Sequence, residues 1–335
     1  MRVQIRRIFI NTGIVIMMLG LASGCQVNLT GLPLVGVILW DKEIRSLSEN
    51  FLGVLEGLRE EGYQQGLNIR LQMVNAASDR GLAADAVLDF TEKKARLLIT
   101  LGTVPTLVAL EASRDTRLPI LYSHVGNPEA TGLSWPQDPG QVRFTGTSNE
   151  VAAAEQMRFL LLAKPNLQRL GILYCTATPA GEATGAALEA EARRHGLETC
   201  AVAIPDDRPE LLHDALARLI NDNTEVLLLP DDPVLVKPKN LQAVCEKAAQ
   251  ANLAVVGPSR SCLSYGALMA YHSDPFEIGR QTGRQAARIL AGTPLCLVPP
   301  EKPKTKRLTV NVKAANQLDL ALSRHFLSRA YRLIQ

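Results

Sequence analysis

Two short stretches bring together residue types that hold small ligands. In Gly102-Thr-Val-Pro-Thr106, two threonines flank a Val-Pro pair where the apolar run Arg96–Leu101 gives way to a helical pattern. A helix starting there presents unpaired N–H groups and the positive end of its dipole, a ready receptor for an anion. Thr103 is placed as the helix N-cap and Pro105 in the first turn, where a missing N–H costs little. The hydroxyls of Thr103 and Thr106 then either reach a carboxylate or serve their own helix. In Pro230-Asp-Asp-Pro233, adjacent carboxylates follow the apolar run Glu225–Leu229. Such a pair accepts from an ammonium, binds a cation or shapes a turn, and turn formation is the commoner use of Asp. Trp40 after the first strand and Trp135 in a long loop offer ring faces that stack on a ligand or pack on the surface.

Covalent chemistry finds little support. The chain has no glycine-rich loop ending in Gly-Lys-Ser or Gly-Lys-Thr, no GxGxxG, no GxSxG and no HExxH. His124, His195, His213, His272 and His325 show no metal-ligand spacing. No nucleophile–base constellation stands out, so no enzyme, cofactor or metal is expected. After Cys25, the cysteines are Cys175, Cys200, Cys245, Cys262 and Cys296, without a CxxC among them. Cys175 ends one strand and Cys200 lies in the next; small buried thiols are the simpler reading.

The elements that must position these residues alternate. Apolar or alternating runs at Leu34–Leu39, Leu67–Val74, Arg96–Leu101 and Pro119–Val125 are separated by helical patterns at 43–61, 82–94 and 105–112. This rhythm predicts βα units and parallel sheets covered on both faces. Residues 126–142 are rich in Pro and Gly, lack any period, and read as a long loop or crossover. The rhythm then restarts, with strands at 144–147, 169–175, 197–204, 225–229, 253–257 and 267–271. A helix over 275–291, a short strand at 308–312 and helical C-terminal segments follow. Two α/β lobes with several crossovers leave a gap that suits a ligand.

Composition narrows the partners. The chain has 335 residues, 47% hydrophobic and only 4% aromatic, so its cores are aliphatic. The formal charge of +3 comes from Arg2, Arg6 and Arg7, since residues 1–24 contain no acid. The remainder is neutral, which argues against a nucleic-acid partner. The start, three arginines before an apolar stretch to Leu21 and then Ala22-Ser23-Gly24-Cys25, has the order of a secretory signal. It resembles a lipobox, with Cys25 as the lipidated residue, residues 1–24 as lipoprotein signal peptide and 25–33 as tether. An uncleaved anchor fits less well, because the stretch is short and holds Asn11.

Several stretches, in this order and spacing, resemble one family. They are FLGVLEGLREEGY from Phe51, LITLGTVPTLVAL, PILYSHVGNPEATGL, FTGTSN, LLLPDDPVLV, and SYGALMAYHSDPFEIGRQTGRQAARILAG. They look like the TrpX-like substrate-binding proteins of ABC transporters, over about Leu34 to Leu320. The resemblance implies a type I periplasmic-binding-protein fold, with two Rossmann-like doubly wound lobes, parallel sheets and a ligand cleft between them. Lobe 1 would take 34–145 and 268–297, and lobe 2 would take 146–267 and 306–335.

The implied ligand contacts are Trp40 and Asp41, then Gly102, Thr103 and Thr106, with Gly126 and Asn127. To these are added Ser148, Asn149, Thr176, Asp231, Asp232, Tyr271 and Ser273. Two places depart from the family: Gly126-Asn127-Pro128 stands for the usual Gly-Asp-Pro, and Tyr174-Cys175-Thr176-Ala177 for Tyr-Asn-Pro. The function implied is an extracytoplasmic, lipid-anchored, monomeric receptor that closes on a small solute, an amino acid or related carboxylate, and serves an ABC permease. A ligand-sensing lipoprotein that presents the same domain to a membrane signalling partner is the alternative.

Overall fold

A computed structural model describes residues 31–232 and 234–335. The signal stretch, Cys25 and most of the tether lie outside the described residues.

Lobe 1 is built on a five-stranded parallel sheet in the order β2-β1-β3-β4-β5. The strands are β1 (Leu34–Leu39), β2 (Arg70–Asn75), β3 (Leu97–Leu101), β4 (Ile120–Val125) and β5 (Phe144–Ser148). β1 and β3 are buried at every position, as strands covered on both faces must be. Alternation along β1 sends Val35, Val37 and Leu39 to one core and Leu34 and Ile38 to the other. The second core is closed by α2 (Arg80–Glu92) and α3 (Thr103–Ala112). The first lies under α1 (Arg45–Glu60) and a helix from far along the chain, which becomes α8 below.

Lobe 2 has seven strands in the order β12-β11-β10-β9-β8-β6-β7. These are β6 (Arg169–Cys175), β7 (Glu198–Ile204), β8 (Val226–Leu228), β9 (Ala254–Gly257), β10 (Met269–Ser273), β11 (Lys306–Asn311) and β12 (Arg332–Ile334). All neighbours run parallel except β10 and β11. Helices α4 (Ala153–Ala163) and α5 (Pro179–Arg194) pack on one face, and α6 (Pro209–Asn221) and α7 (Pro238–Gln250) on the other. Helix α8 (Pro275–Leu290) returns to lobe 1, while α9 (Val312–Gln317) and α10 (Arg324–Leu327) finish lobe 2.

The sheet pairing moves two of the expected lobe cuts. Strand β10 hydrogen-bonds between β9 and β11, so Met269–Ser273 belongs to lobe 2 and not to lobe 1. Strand β5 pairs with β4 as far as Ser148, so 146–148 belong to lobe 1. The chain therefore crosses between lobes at 149–152, at Asp274 and at 302–305. There, Ser273 Oγ donates to Asn149 O (3.1 Å) and Asp274 N to Thr305 O (3.1 Å). Strand β12, in the expected helical tail, is a short edge strand beside β11.

Helices α1 and α8 meet backbone to backbone. A Cβ on Gly53 would stand 2.0 Å from Phe276 O, and one on Gly279 would stand 1.9 Å from Asn50 O. Gly57 and Gly283 extend the same seam one turn on. Asn50 Nδ2 also donates to Pro275 O (2.9 Å), which fixes the start of α8 just past the crossover.

Candidate ligand-binding site

The carboxyl ends of both sets of parallel strands converge on a cavity of about 540 Å³, within the range of small-molecule sites. Lobe 1 contributes Trp40, Gly102, Thr103, His124 and Gly126, and lobe 2 Asp231, Ser259, Arg260 and Ser273, with Asn149 between them.

On the lobe 1 wall, Gly102 and not Thr103 is the N-cap of α3, with φ 108°. Glycine takes this left-handed conformation at no steric cost, and it brings no side chain to cap the helix. The Gly102 N–H bonds Ser123 O (3.0 Å), and Pro105 has none to offer. The N–H groups of Thr103 and Val104 are taken up by no group among the described residues, and both residues line the cavity. Thr106 is withdrawn from this role. It is fully buried, with Oγ1 bonded to Gly102 O (2.7 Å) and Thr100 Oγ1 (2.8 Å), where it braces the strand–helix turn.

The end of β4 is irregular. Ser123 pairs with Thr147 and Val125 with Ser148, so His124 is an extra, unpaired residue. It has φ 60°, a conformation uncommon outside glycine. The bulge turns the imidazole into the cavity, the usual service of a bulge beside a site. Burial pushes its pKa down to about 4, so the ring is neutral at physiological pH. Asn149 Nδ2 lies 3.1 Å from His124 Nδ1 and also donates to Asp231 Oδ2. Asn149 Oδ1 is buried without a partner among the described residues.

On the lobe 2 wall, the adjacent carboxylates have separate jobs. Asp231 faces the cavity, and burial, then the neighbouring Asp232, raises its pKa to about 7 against the opposing Asn149 bond. Asp232 faces inward. It accepts from Cys175 N (3.1 Å), Val234 N (2.7 Å) and Leu235 N (3.1 Å), and so holds the turn. The lobe 2 lining also takes in the apolar residues Ala180, Val236, Pro238, Leu241, Pro258 and the ring of Tyr265, together with Ser259 and Arg260.

Other expected contacts stand apart from the cavity. Asp41 accepts from Ser78 Oγ (2.7 Å) and Glu43 N (2.9 Å) and shapes the entry to α1. Asn127 Oδ1 accepts from Ala130 N (3.2 Å) in the turn after β4. Ser148 is buried beneath the crossover, with Oγ unpartnered among the described residues. Thr176 N bonds Ile204 O (2.8 Å) at the sheet edge. Tyr271 points to the other face of its sheet, where its ring stacks on Phe159 with centroids 4.3 Å apart. Trp135 is half-buried in its loop and does not line the cavity.

Sequence reasoning missed His124, because spacing searches test for metal and triads while a bulge has no spacing. It also missed the ion pair between Glu49 on α1 and Arg260 after β9 (2.6 Å), which joins the lobes across the cavity wall. Cys175 lies opposite Ile204 and Cys200 opposite Gly171, four positions apart along the ladder. That is about 13 Å, too far for a disulfide.

The family described as ABC transporter substrate binding protein matches residues 38–334. A tyrosine-binding protein of Clostridioides difficile is 22% identical over 275 residues, covering 82% of this chain and 78% of that protein. The structure of an ABC domain in complex with L-Trp from Streptococcus pneumonia superposes with a TM-score of 0.80 at 19% identity, over 90% of this chain and 100% of the other. A leucine-binding protein of Thermotoga maritima superposes at 0.62 with 9% identity, over 80% and 86%. The two-lobed architecture is thus that of the type I periplasmic binding proteins.

Proposed function

The chain belongs to the ABC transporter substrate binding protein family, and from that membership we propose that it receives a zwitterionic amino acid with an apolar or aromatic side chain. It holds the solute between its lobes and hands it to a membrane permease. Family members bind solutes and are not enzymes, so its work is capture and release. The observation that carries the reading is the opposition of the two walls. N–H groups of Thr103 and Val104 with no acceptor among the described residues line lobe 1, and the Asp231 carboxylate lines lobe 2 of the same cavity. A carboxylate on the first and an ammonium on the second places the side chain along the flank of Val236, Leu241, Pro258 and Tyr265. The tyrosine-binding relative and the neighbour in complex with L-Trp support an aromatic side chain. Closure follows because a ligand that bridges the walls binds the closed form better than the open one.

Isothermal titration with L-tyrosine, L-tryptophan, L-phenylalanine and L-leucine tests this. Saturable heat with at least one of them is the expected result. No heat with any, from folded protein, overturns the amino-acid reading.

The lipid anchor is proposed from residues 1–25 alone. No described helix is long and apolar enough to cross a membrane. Metabolic labelling with a radioactive fatty acid should mark the expressed full chain, and Cys25→Ser should abolish the label.

A further inference from the structure

The amino-acid reading gives His124 no task, although it lines the cavity. His124 occupies the bulge at the end of β4, in a left-handed conformation that most residues avoid. Its Nδ1 meets Asn149 Nδ2 at 3.1 Å. The amide nitrogen only donates, so Nδ1 is the acceptor and the ring proton sits on Nε2. Nε2 has no partner among the described residues, and the ring lines the cavity. An unspent N–H donor therefore sits on a side chain of the cavity wall.

Its position relative to Asp231 is fixed by Asn149. One amide nitrogen bonds both groups, so two hydrogen bonds, at most about 6 Å, separate Asp231 Oδ2 from His124 Nδ1, with Nε2 across the ring from it. An ammonium and a carboxylate on one carbon, each with its own hydrogen bond, span this gap. Resting on the amino-acid reading, we infer that His124 is a specificity-determining residue, whose Nε2–H donates to the ligand carboxylate while Nδ1 holds Asn149 against Asp231. His124 and the start of α3 then grip one carboxylate from two sides of lobe 1. The ligand class this selects is the α-amino acid over its decarboxylated amine.

The test is isothermal titration of wild type, His124→Asn and His124→Gln with L-tyrosine, tyramine, L-tryptophan and tryptamine. Asparagine tolerates the left-handed backbone and keeps an acceptor for Asn149, but it cannot reach the Nε2 position. Glutamine carries a donor farther out. The expected result is a loss of about tenfold or more in amino-acid affinity for His124→Asn, with amine affinity unchanged. His124→Gln should recover most of the loss. A His124→Asn protein that matches wild type, or that loses affinity for acid and amine by the same factor, overturns the assignment and leaves His124 a support for Asn149. Wild type that gives no heat with either amino acid overturns the parent reading and this one together. Thermal melts of each variant show that the titrated protein is folded.

Discussion

The two walls of the cleft handle charge in opposite ways. At its strand ends lobe 1 offers neutral donors, the N–H groups at the start of α3 and an imidazole kept uncharged by burial, beside the charged Glu43, Arg45 and Glu49 that also line the cavity. Lobe 2 offers a carboxyl that burial and a neighbouring acid have pushed up to about 7, beside an apolar flank. Neutral donors hold an anion without a competing salt bridge to break. A strained carboxyl gains most when a cation arrives. The empty cleft thus stores unfavourable electrostatics on one wall, and the ligand's ammonium relieves them.

The asymmetry is broken most severely at Asp231. Asp231→Asn should lower amino-acid affinity about 30-fold or more, since truncating one partner of a buried charge pair costs about 2–5 kcal/mol. The same variant should melt no lower than wild type at pH 8. A carboxyl with a folded pKa above its unfolded value destabilises the fold increasingly as pH rises from about 4 to 7. Asp232→Asn should do the reverse. It would set an amide donor against backbone N–H groups, lowering the melting temperature while affinity per folded molecule holds.

Next in size is pH. Asp231 is half-protonated near pH 7 in the empty cleft, and an ammonium needs the carboxylate. Affinity should therefore weaken as pH falls from 8 to 6, by up to about tenfold per unit below 7. Titration in buffers of different ionisation heat should show proton release on binding. Affinity that stays flat across this range would place the ammonium elsewhere.

On the lobe 1 wall, Gly102→Ala should cost about 1–2 kcal/mol of stability, because alanine resists the left-handed conformation although its Cβ has room. Chemical denaturation reads this directly. The smallest effect is expected from Arg260→Met, which removes the half-exposed partner of Glu49. Such pairs are worth about 1 kcal/mol or less, so affinity should change less than about fivefold, and the change should shrink in high salt.

The sequence disclosed the fold in proportion to how periodic each element was. β1 and β3 were legible because fully buried strands read as unbroken aliphatic runs. The place of β10 was not, because ALMAY fits either lobe, and only its partners β9 and β11 decide. Among the candidate site residues, Gly102 and Asp231 were legible as a backbone and a charge at strand ends. Thr106, Asp232 and Tyr271 were not separable from them, since neither a motif nor a spacing says which way a side chain turns. His124 was hidden for a deeper reason: its aim depends on one extra residue in a ladder, visible only once both strands are registered.

The glycine seam between α1 and α8 has a consequence for the order in which the protein is made. Lobe 1's first core, with Val54 and Leu58 of α1, Ala286 and Ile289 of α8 and Val298 beyond it, is complete only when residue 298 is available. All the βα units of lobe 2 up to β10 leave the ribosome in between. The nascent chain must therefore carry a β1–β5 sheet with one apolar face covered by α1 alone for most of synthesis, the kind of surface that holding chaperones bind. A stop codon placed before Pro275 should give a product that holds more chaperone than the full-length chain.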